Sequence, residues 1–224
     1  PQVNCAQTRL KEIEGKTVGE AVVAALDSIL RQLGYAMVGR KALVTGYGWV
    51  GAGTANSLKD RGMQVSVMDT DVLKCVEAAV DGYTLARSPK DIDSPAILIG
   101  ASGSRSITPE VIDHLPHRCF IVSGASKDHE VDLAYLASIT QSTQAIHPHV
   151  DAHHLKDGRT LFLVNKGYPV NFTGSSVPDE IVEFLFAELI MLVPELLDQD
   201  LAPGIYPLRP ELERIAAEIW LELR

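Results

Sequence analysis

Residues 41–69 (KALVTGYGWVGAGTANSLKDRGMQVSVMD) constrain the fold more than any other part of the chain. An apolar segment at 42–44 runs into a glycine-rich turn, and a pattern typical of a helix follows until Gly62 ends it. A second apolar segment then begins at Val65 and is closed by Asp69. A dinucleotide site typically has these features in this order: a strand, a glycine-rich turn, a helix, a second strand and an acidic residue. The stretch therefore predicts a βαβ unit that binds a dinucleotide.

Each glycine of the GYGWVG turn has a physical reason to be there. Gly46 allows the tight turn, Gly48 lets backbone N–H groups approach a pyrophosphate, and Gly51 lets helix and strand pack closely. The helix then directs its unpaired N–H groups and its dipole at the phosphates. The candidate cofactor-binding residues of this turn are Gly46, Gly48, Trp49, Val50 and Gly51.

Asp69 selects the form of the cofactor. It follows Gly51 by 18 residues, at the end of the second strand, where a carboxylate accepts hydrogen bonds from both ribose hydroxyls. It would repel a 2′-phosphate, so we expect NAD as the cofactor in preference to NADP. The alternative is a Rossmann-like unit that has lost its ligand.

The composition excludes several other classes of protein. The chain has 224 residues, a net charge of −9 and no cluster of basic residues, so we expect neither nucleic acid nor a membrane as a partner. Cys5, Cys75 and Cys119 are far apart, which favours a reduced, cytoplasmic compartment. The longest apolar stretch, residues 181–193, is too short for a membrane span and contains two glutamates.

The rest of the chain alternates between strand and helix patterns. We read residues 1–16 as a polar arm and Thr17 as the N-cap of a first helix, which ends at Gly34. After Asp69 the expected elements are a helix at 72–79, strands at 83–85, 96–100 and 119–122, a helix at 108–115, and a hairpin formed by 160–164 and 169–172. The sequence therefore predicts an α/β fold: a Rossmann-like, doubly wound parallel sheet with flanking N- and C-terminal helices.

Three regions follow from this pattern. Residues 1–35 form an N-terminal arm and helix, a possible stub of a substrate domain. Residues 36–175 form the NAD-binding Rossmann domain, and 176–224 form C-terminal helices that pack on it. The helix expected at 179–197 is the most hydrophobic of the chain, and burial in the core and a role as subunit interface both explain it.

Small residues follow two of the predicted strands. Ligands of open α/β sheets bind at the carboxyl ends of the strands, so the loops at 100–104 and 123–126 should form the walls of the site. The candidates there are Ser102, Gly103, Ser104, Ser123 and Gly124.

Five segments, in the same order along the chain, resemble the S-adenosylhomocysteine hydrolase family. They are residues 44–71 with the glycine-rich turn, 99–107 (IGASGSRSI), 128–132 (DHEVD), 156–172 and 205–213. In that family NAD oxidises the 3′-hydroxyl of a nucleoside, after which homocysteine is eliminated, water adds and the nucleoside is reduced again. The resemblance implies that Asp69 holds the ribose and Val50 supports the pyrophosphate loop. It also implies that Ser102, Ser104 and Asn171 flank the nicotinamide.

The catalytic half of the family pattern is not matched. Ser126 and Val177 stand where the family has histidines, and the segment at 11–16 lacks its Asp and Asn. Hydrolysis of adenosylhomocysteine by this chain alone is therefore not expected. Lys127, Asp128, His129 and Glu130 are candidates for a general acid or base, although a charge cluster at a helix N-terminus explains them equally well.

A group of histidines and an aspartate could suit a metal. His149, Asp151 and His153 would share one face of an extended segment between His147 and His154, and such ligands suit Zn or Ni. A fourth ligand and supporting partners are not visible, so a polar loop is the competing interpretation and we predict no metal.

The leading hypothesis is an NAD-dependent redox step on a small hydroxylated or nucleoside-like substrate. The alternatives are a non-catalytic NAD-binding or regulatory module and one part of a larger adenosylhomocysteinase-like enzyme. A homodimer or higher homo-oligomer is expected.

Overall fold

A computed structural model describes residues 1–125, 130–198 and 201–224. The strands are β1 (Gln2–Asn4), β2 (Lys41–Thr45), β3 (Gln64–Met68), β4 (Thr84–Leu85), β5 (Ile97–Gly100), β6 (Phe120–Ser123), β7 (Thr140–His147), β8 (Val150–Leu155), β9 (Thr160–Val164) and β10 (Ile205–Pro207). The helices are α1 (Arg9–Gln32), α2 (Trp49–Asp60), α3 (Val72–Val80), α4 (Pro109–Asp113), α5 (Leu133–Ile139), α6 (Asp179–Asp198) and α7 (Pro210–Glu222).

The chain divides into two compact units. The sheet unit is Val18–Ser176, and the terminal unit combines Pro1–Thr17 with Val177–Arg224. The sequence division at residue 35 differs from this one, because the part of α1 from Val18 onward belongs to the sheet unit. Among the described residues no helix is long and apolar enough to cross a membrane.

The sheet unit contains one eight-stranded sheet in the order β4-β3-β2-β5-β6-β9-β8-β7. All neighbouring pairs from β4 to β9 are parallel, whereas β8 pairs antiparallel with both β9 and β7. The strand order reverses between β2 and β5, which is the switch point where open α/β sheets bind ligands. The predicted doubly wound α/β fold is confirmed.

Alternating side chains of the central strands pack on opposite faces of the sheet. Val44, Ile99 and Val122 join one buried cluster, together with residues of α1. The preceding residues Leu43, Leu98 and Ile121 join a second cluster with residues of α4 and α5. Strands buried on both faces read as continuous apolar runs, which is why the sequence identified them.

The first helix begins earlier than its capping box suggested. α1 starts at Arg9, and the hydroxyl of Thr8 accepts a hydrogen bond from the Lys11 amide at 3.2 Å. Thr17, which we expected at the N-cap, lies inside the helix and donates to the Ile13 carbonyl at 3.2 Å. Residues 1–16 are therefore not an arm; they form β1, a turn and the first part of α1.

The predicted hairpin of 160–164 with 169–172 is also wrong. β9 pairs antiparallel with β8 instead, and residues 170–173 form a short 3-10 helix. Strands β7 and β8, which the sequence pattern did not reveal, extend the sheet beyond β9. Their side chains are mostly polar, so they lack the apolar run that identified the central strands.

The terminal unit pairs β1 with β10 in parallel and packs α6 against both α7 and β1. Phe184 and Trp220 meet edge to face with their ring centroids 5.9 Å apart. Glu188 of α6 is completely buried and accepts a hydrogen bond from the Thr8 hydroxyl at 3.2 Å.

Candidate functional site

The glycine-rich turn between β2 and α2 has no room for side chains at two positions. Gly46 has a φ of +95°, and a Cβ atom there would lie 2.6 Å from the Cα atom of Ser102. A Cβ atom on Gly51 would lie 1.9 Å from the carbonyl oxygen of Gly46. The first contact brings the turn against the loop after β5, and the second seats α2 on the turn.

Gly48 differs from these two glycines because it faces open space. A Cβ atom there would meet nothing within 4 Å. Gly48 is the N-cap of α2, no side chain caps this helix end, and the first turn contains no acidic residue. An anion is favoured at such a helix N-terminus by the free N–H groups and the helix dipole.

Asp69 lies directly after β3 and is already oriented by the backbone. Its Oδ2 atom accepts a hydrogen bond from the Tyr47 amide at 2.6 Å, and its Oδ1 atom accepts one from the Asp71 amide at 2.8 Å. A carboxylate has about four acceptor positions. The remaining two suit a pair of ribose hydroxyls.

Tyr47 fixes the turn from the other side. Its hydroxyl donates to the carboxylate of Asp81 at 2.7 Å, and its ring meets that of Tyr83 edge to face at 5.7 Å. Burial, and then the bond to Asp81, raise the pKa of Tyr47, so this phenol stays protonated. The turn is therefore held by side chains from outside the βαβ unit.

A cavity of about 750 Å³ opens beside the turn. Its polar wall includes Gly46, Asp69, Ser102, Ser104 and Ser106. Its apolar wall includes side chains of α3, such as Val72 and Val76, which are largely exposed in the structure. Apolar surface next to a few convergent polar groups is typical of a nucleotide pocket.

Glu130 lies behind the serine wall and is 0% exposed. Its carboxylate accepts hydrogen bonds from the Ser102 hydroxyl at 3.1 Å, the Gly103 amide at 2.6 Å and the Ser106 hydroxyl at 2.5 Å. Burial raises the pKa of Glu130, and the three donors oppose that shift. Gly100 is needed beside it, because a Cβ atom there would lie 2.8 Å from the Glu130 carboxylate.

The structure brings together most of the site residues expected from sequence. Gly46, Asp69, Ser102 and Ser104 line the cavity, and the Gly103 amide binds Glu130 behind it. Trp49, Val50 and Gly51 form the first turn of α2, next to Gly48.

Three other expected residues lie apart from the cavity wall. Ser123 and Gly124 are buried at the end of β6, and the Ser123 hydroxyl has no partner among the described residues. Asn171 is buried and donates to the Ser176 hydroxyl at 3.2 Å. Lys127, Asp128 and His129, three of the candidates for acid or base, lie outside the described residues.

The histidines do not gather around one point. The ring of His153 lies 3.2 Å from the Thr140 hydroxyl, and the ring of His154 lies 3.1 Å from the Thr160 hydroxyl. The ring of His147 lies 2.9 Å from the Gln32 side chain. Within the described part of the chain no three His, Cys, Asp or Glu side chains are placed to hold a metal.

Sequence reasoning missed several residues of the cavity. Thr45, Cys75, Arg87 and Arg105 all line it, and the Arg105 guanidinium pairs with Asp132 at 3.2 Å. Position was the available signal, since Thr45 ends β2 and Arg87 follows β4. Glu130 of the DHEVD segment was expected as an acid or base, but the sequence gave no sign that it accepts hydrogen bonds from the loop after β5.

A Rossmann domain that binds a dinucleotide is defined by four features together: the glycine-rich turn, the N-terminus of α2, Asp69 and the cavity beside them. Comparison with protein-family models identifies the family: S-adenosyl-L-homocysteine hydrolase, NAD binding domain, matches residues 20–177. The chain belongs to this family, and NAD is its cofactor.

Curated relatives agree with this assignment. Adenosylhomocysteinase of Thermotoga maritima is 30% identical over 200 residues, which are 88% of this chain and 50% of that protein. S-inosyl-L-homocysteine hydrolase of Methanopyrus kandleri is 28% identical over 204 residues, 89% of this chain and 48% of that protein. The chain thus spans about half the length of these relatives.

A solved structure supports the fold alone. The dipicolinate synthase A chain of Bacillus subtilis aligns with a TM-score of 0.54 at 15% identity, covering 82% of this chain and 56% of that one.

Proposed function

We propose that the chain uses NAD for a redox step on a small hydroxylated, nucleoside-like substrate. The observation that carries the proposal is the cavity that joins Asp69 to the serine loop after β5. The relatives named as hydrolases of adenosyl- and inosylhomocysteine support a nucleoside-like substrate. When bound, the cofactor supplies hydride transfer at its nicotinamide ring.

The residues of the chain have separate roles in this proposal. The α2 N-terminus at Gly48 binds the pyrophosphate, and Asp69 accepts hydrogen bonds from the ribose hydroxyls. Tyr47 and Asp81 keep the turn in its binding conformation through the 2.7 Å hydrogen bond. The apolar side chains of α3 shield the base from water.

The cofactor role of Asp69 is tested by Asp69→Ala. We expect NAD affinity to fall by about 100-fold, because charge-assisted hydrogen bonds to a ligand contribute on the order of 1.5–3 kcal/mol each. Isothermal titration calorimetry of NAD⁺ measures the change. Asp71→Ala is the matched control, since the Asp71 side chain caps α3 through the Leu73 amide and does not line the cavity.

If Asp69→Ala binds NAD⁺ as tightly as wild type, the proposal that Asp69 binds the ribose is wrong. Native mass spectrometry of the wild-type chain, followed by acid release, identifies any nucleotide that co-purifies. Nucleosides with free hydroxyls are then added to the loaded chain, and NADH is followed by its absorbance.

A second function, NAD binding without catalysis, is favoured by one observation. Ser126 and Val177 occupy the positions at which the family resemblance implies histidines. If the chain binds NAD⁺ and no hydroxylated nucleoside reduces it, the result supports a non-catalytic module. Reduction of the bound NAD⁺ by any such nucleoside contradicts it. One part of a larger enzyme is the third candidate, supported by the half-length match to the relatives.

A further inference from the structure

Three hydroxyl groups of the cavity wall and one carboxylate buried behind that wall form a connected set. Ser102 and Ser106 both donate to Glu130, and the hydroxyls of Ser106 and Thr45 lie 2.7 Å apart. All three hydroxyl-bearing residues line the cavity, whereas Glu130 does not. The set therefore connects a buried charge to the surface that a ligand meets.

The carboxylate determines which way the hydroxyl hydrogens point. An ionised carboxylate only accepts hydrogen bonds, and a serine hydroxyl has one hydrogen to give. Because the hydrogen of Ser106 is directed at Glu130, Thr45 must be the donor in its bond to Ser106. The hydrogen of Ser102 is also used inside the loop, either by Glu130 at 3.1 Å or by the Ser104 carbonyl at 3.0 Å.

All three hydroxyls consequently turn their hydrogens away from the cavity and present lone pairs to it. Asp69 adds a further acceptor to the same cavity. Arg87 and Arg105 line other parts of the cavity, but this part of its wall accepts hydrogen bonds and so binds ligand groups that donate, such as ribose hydroxyls. A phosphate ester in place of a hydroxyl removes the donor and brings negative charge towards two carboxylates.

We propose that Glu130 is a specificity-determining positioning residue, which sets the hydroxyl wall to accept hydrogen bonds and so favours the free adenosine ribose of NAD over the phosphorylated adenosine ribose of NADP. The hydroxyl wall shares one cavity with Asp69, so this inference places Ser102 beside the adenosine ribose and not beside the nicotinamide, where the family resemblance puts it. This inference rests on the proposed cofactor-binding function of the cavity. It adds to the direct effect of Asp69, since Glu130 acts through Ser102, Ser106 and Thr45 without lining the cavity itself.

Glu130→Gln is the sharpest test, because the amide has nearly the same shape and reverses the hydrogen-bond direction. The Gly103 amide can only donate, so it binds the oxygen of the new side chain, and the NH₂ group then donates to Ser106. Ser106 turns its hydrogen to Thr45, and the Thr45 hydrogen is free to point into the cavity.

The measurement is calorimetric titration of NAD⁺ and NADP⁺ into wild type and Glu130→Gln. We expect the ratio of the NADP⁺ to the NAD⁺ dissociation constant to fall about tenfold in the variant, the size of one hydrogen bond gained or lost. If the role of Glu130 is purely structural, the variant should bind NAD⁺ and NADP⁺ more weakly by the same factor. A ratio that stays within about twofold of wild type overturns the inference.

Two further variants make the result decisive. Glu188→Gln is the matched control, since it is the same substitution at an equally buried position of the terminal unit, and its ratio should equal that of wild type.

If circular dichroism shows that Glu130→Gln does not fold, Ser106→Ala replaces it. This variant frees the Thr45 hydrogen, so its ratio should fall, and an unchanged ratio overturns the inference. A wild-type chain that binds no NAD⁺ refutes the proposed function itself, before any ratio is measured.

Discussion

Glu130 in the sheet unit and Glu188 in the terminal unit are both 0% exposed, yet their surroundings differ. Three donors from one loop converge on Glu130. Glu188 has one donor, the Thr8 hydroxyl, and its Oε1 atom has no partner among the described residues. Burial raises the pKa of both carboxyls, that of Glu188 to about 7. Burial alone therefore does not make a binding site; an ordered set of donors beside a cavity does.

The surroundings of these carboxyls reflect how the two units are built. The sheet unit brings backbone segments so close that Gly46 and Gly51 have no room for a Cβ atom, and at Gly100 the Glu130 side chain occupies that space. In the terminal unit, α6 leaves apolar side chains such as Phe186 and Ile190 more than half exposed. We therefore expect substitutions of the close backbone contacts in the sheet unit to have the largest effects.

Gly51→Ala should show the largest effect. Its Cβ atom would lie 1.9 Å from the Gly46 carbonyl oxygen, which belongs to the backbone and cannot move without displacing the turn. We expect the free energy of unfolding to fall by about 3 kcal/mol, at the upper end for overpacking. Urea unfolding followed by circular dichroism measures this loss, and NAD⁺ affinity should fall with it.

Gly48→Ala separates stability from binding. Gly48 has a φ of −73°, and its Cβ atom would meet open space, so stability should fall by at most about 1 kcal/mol, because alanine is a poorer N-cap than glycine. NAD⁺ affinity should still fall, because the added methyl group occupies the side from which we expect the pyrophosphate to approach. Equal stability of Gly51→Ala and Gly48→Ala would contradict the close-contact interpretation of the turn.

Glu188→Gln should change how stability depends on pH. The folded-state pKa of about 7 exceeds the unfolded value of 4.5, so this group favours the folded state at low pH and loses that contribution as pH rises from 4.5 through 7. We expect wild type to lose roughly 3 kcal/mol over this interval through Glu188, and the variant to lose none of it. Melting temperatures measured from pH 4 to 8 test the difference.

Other charges beside Glu188 define the control for that measurement. Glu213 raises its pKa and Lys11 lowers it, and both are retained in Glu188→Gln. Glu130→Gln, at the other buried carboxyl, should not reproduce the same pH profile, because its three donors support the charged form. Identical profiles for the two variants would remove the distinction between the two carboxyls.

The sequence allowed prediction of the central strands, the GYGWVG turn and Asp69, because these depend on local patterns. Apolar runs identify buried strands, and Gly46 and Gly51 follow from the close approach that a dinucleotide turn requires. The pairing of β9 with β6 joins strands that are distant in sequence, and the polar strand β7 carries no apolar signal. The role of Glu130 depends on a loop 24 to 28 residues earlier in the chain, a contact that no local pattern specifies.

Among the substitutions that remove a side-chain contact, Thr8→Ala should cause the smallest loss of stability. The Thr8 hydroxyl accepts a hydrogen bond from the Lys11 amide and donates one to Glu188, so its loss removes both the cap of α1 and the one donor that Glu188 has among the described residues. We expect the free energy of unfolding to fall by about 1 kcal/mol at pH 7, the usual effect of an N-cap. Thr17→Ala is the matched control, because Thr17 lies inside the helix and alanine favours that conformation. If Thr17→Ala lowered the free energy of unfolding more than Thr8→Ala, α1 would begin where its capping box predicted. The single hydrogen bond from Thr8 would then no longer distinguish Glu188 from Glu130.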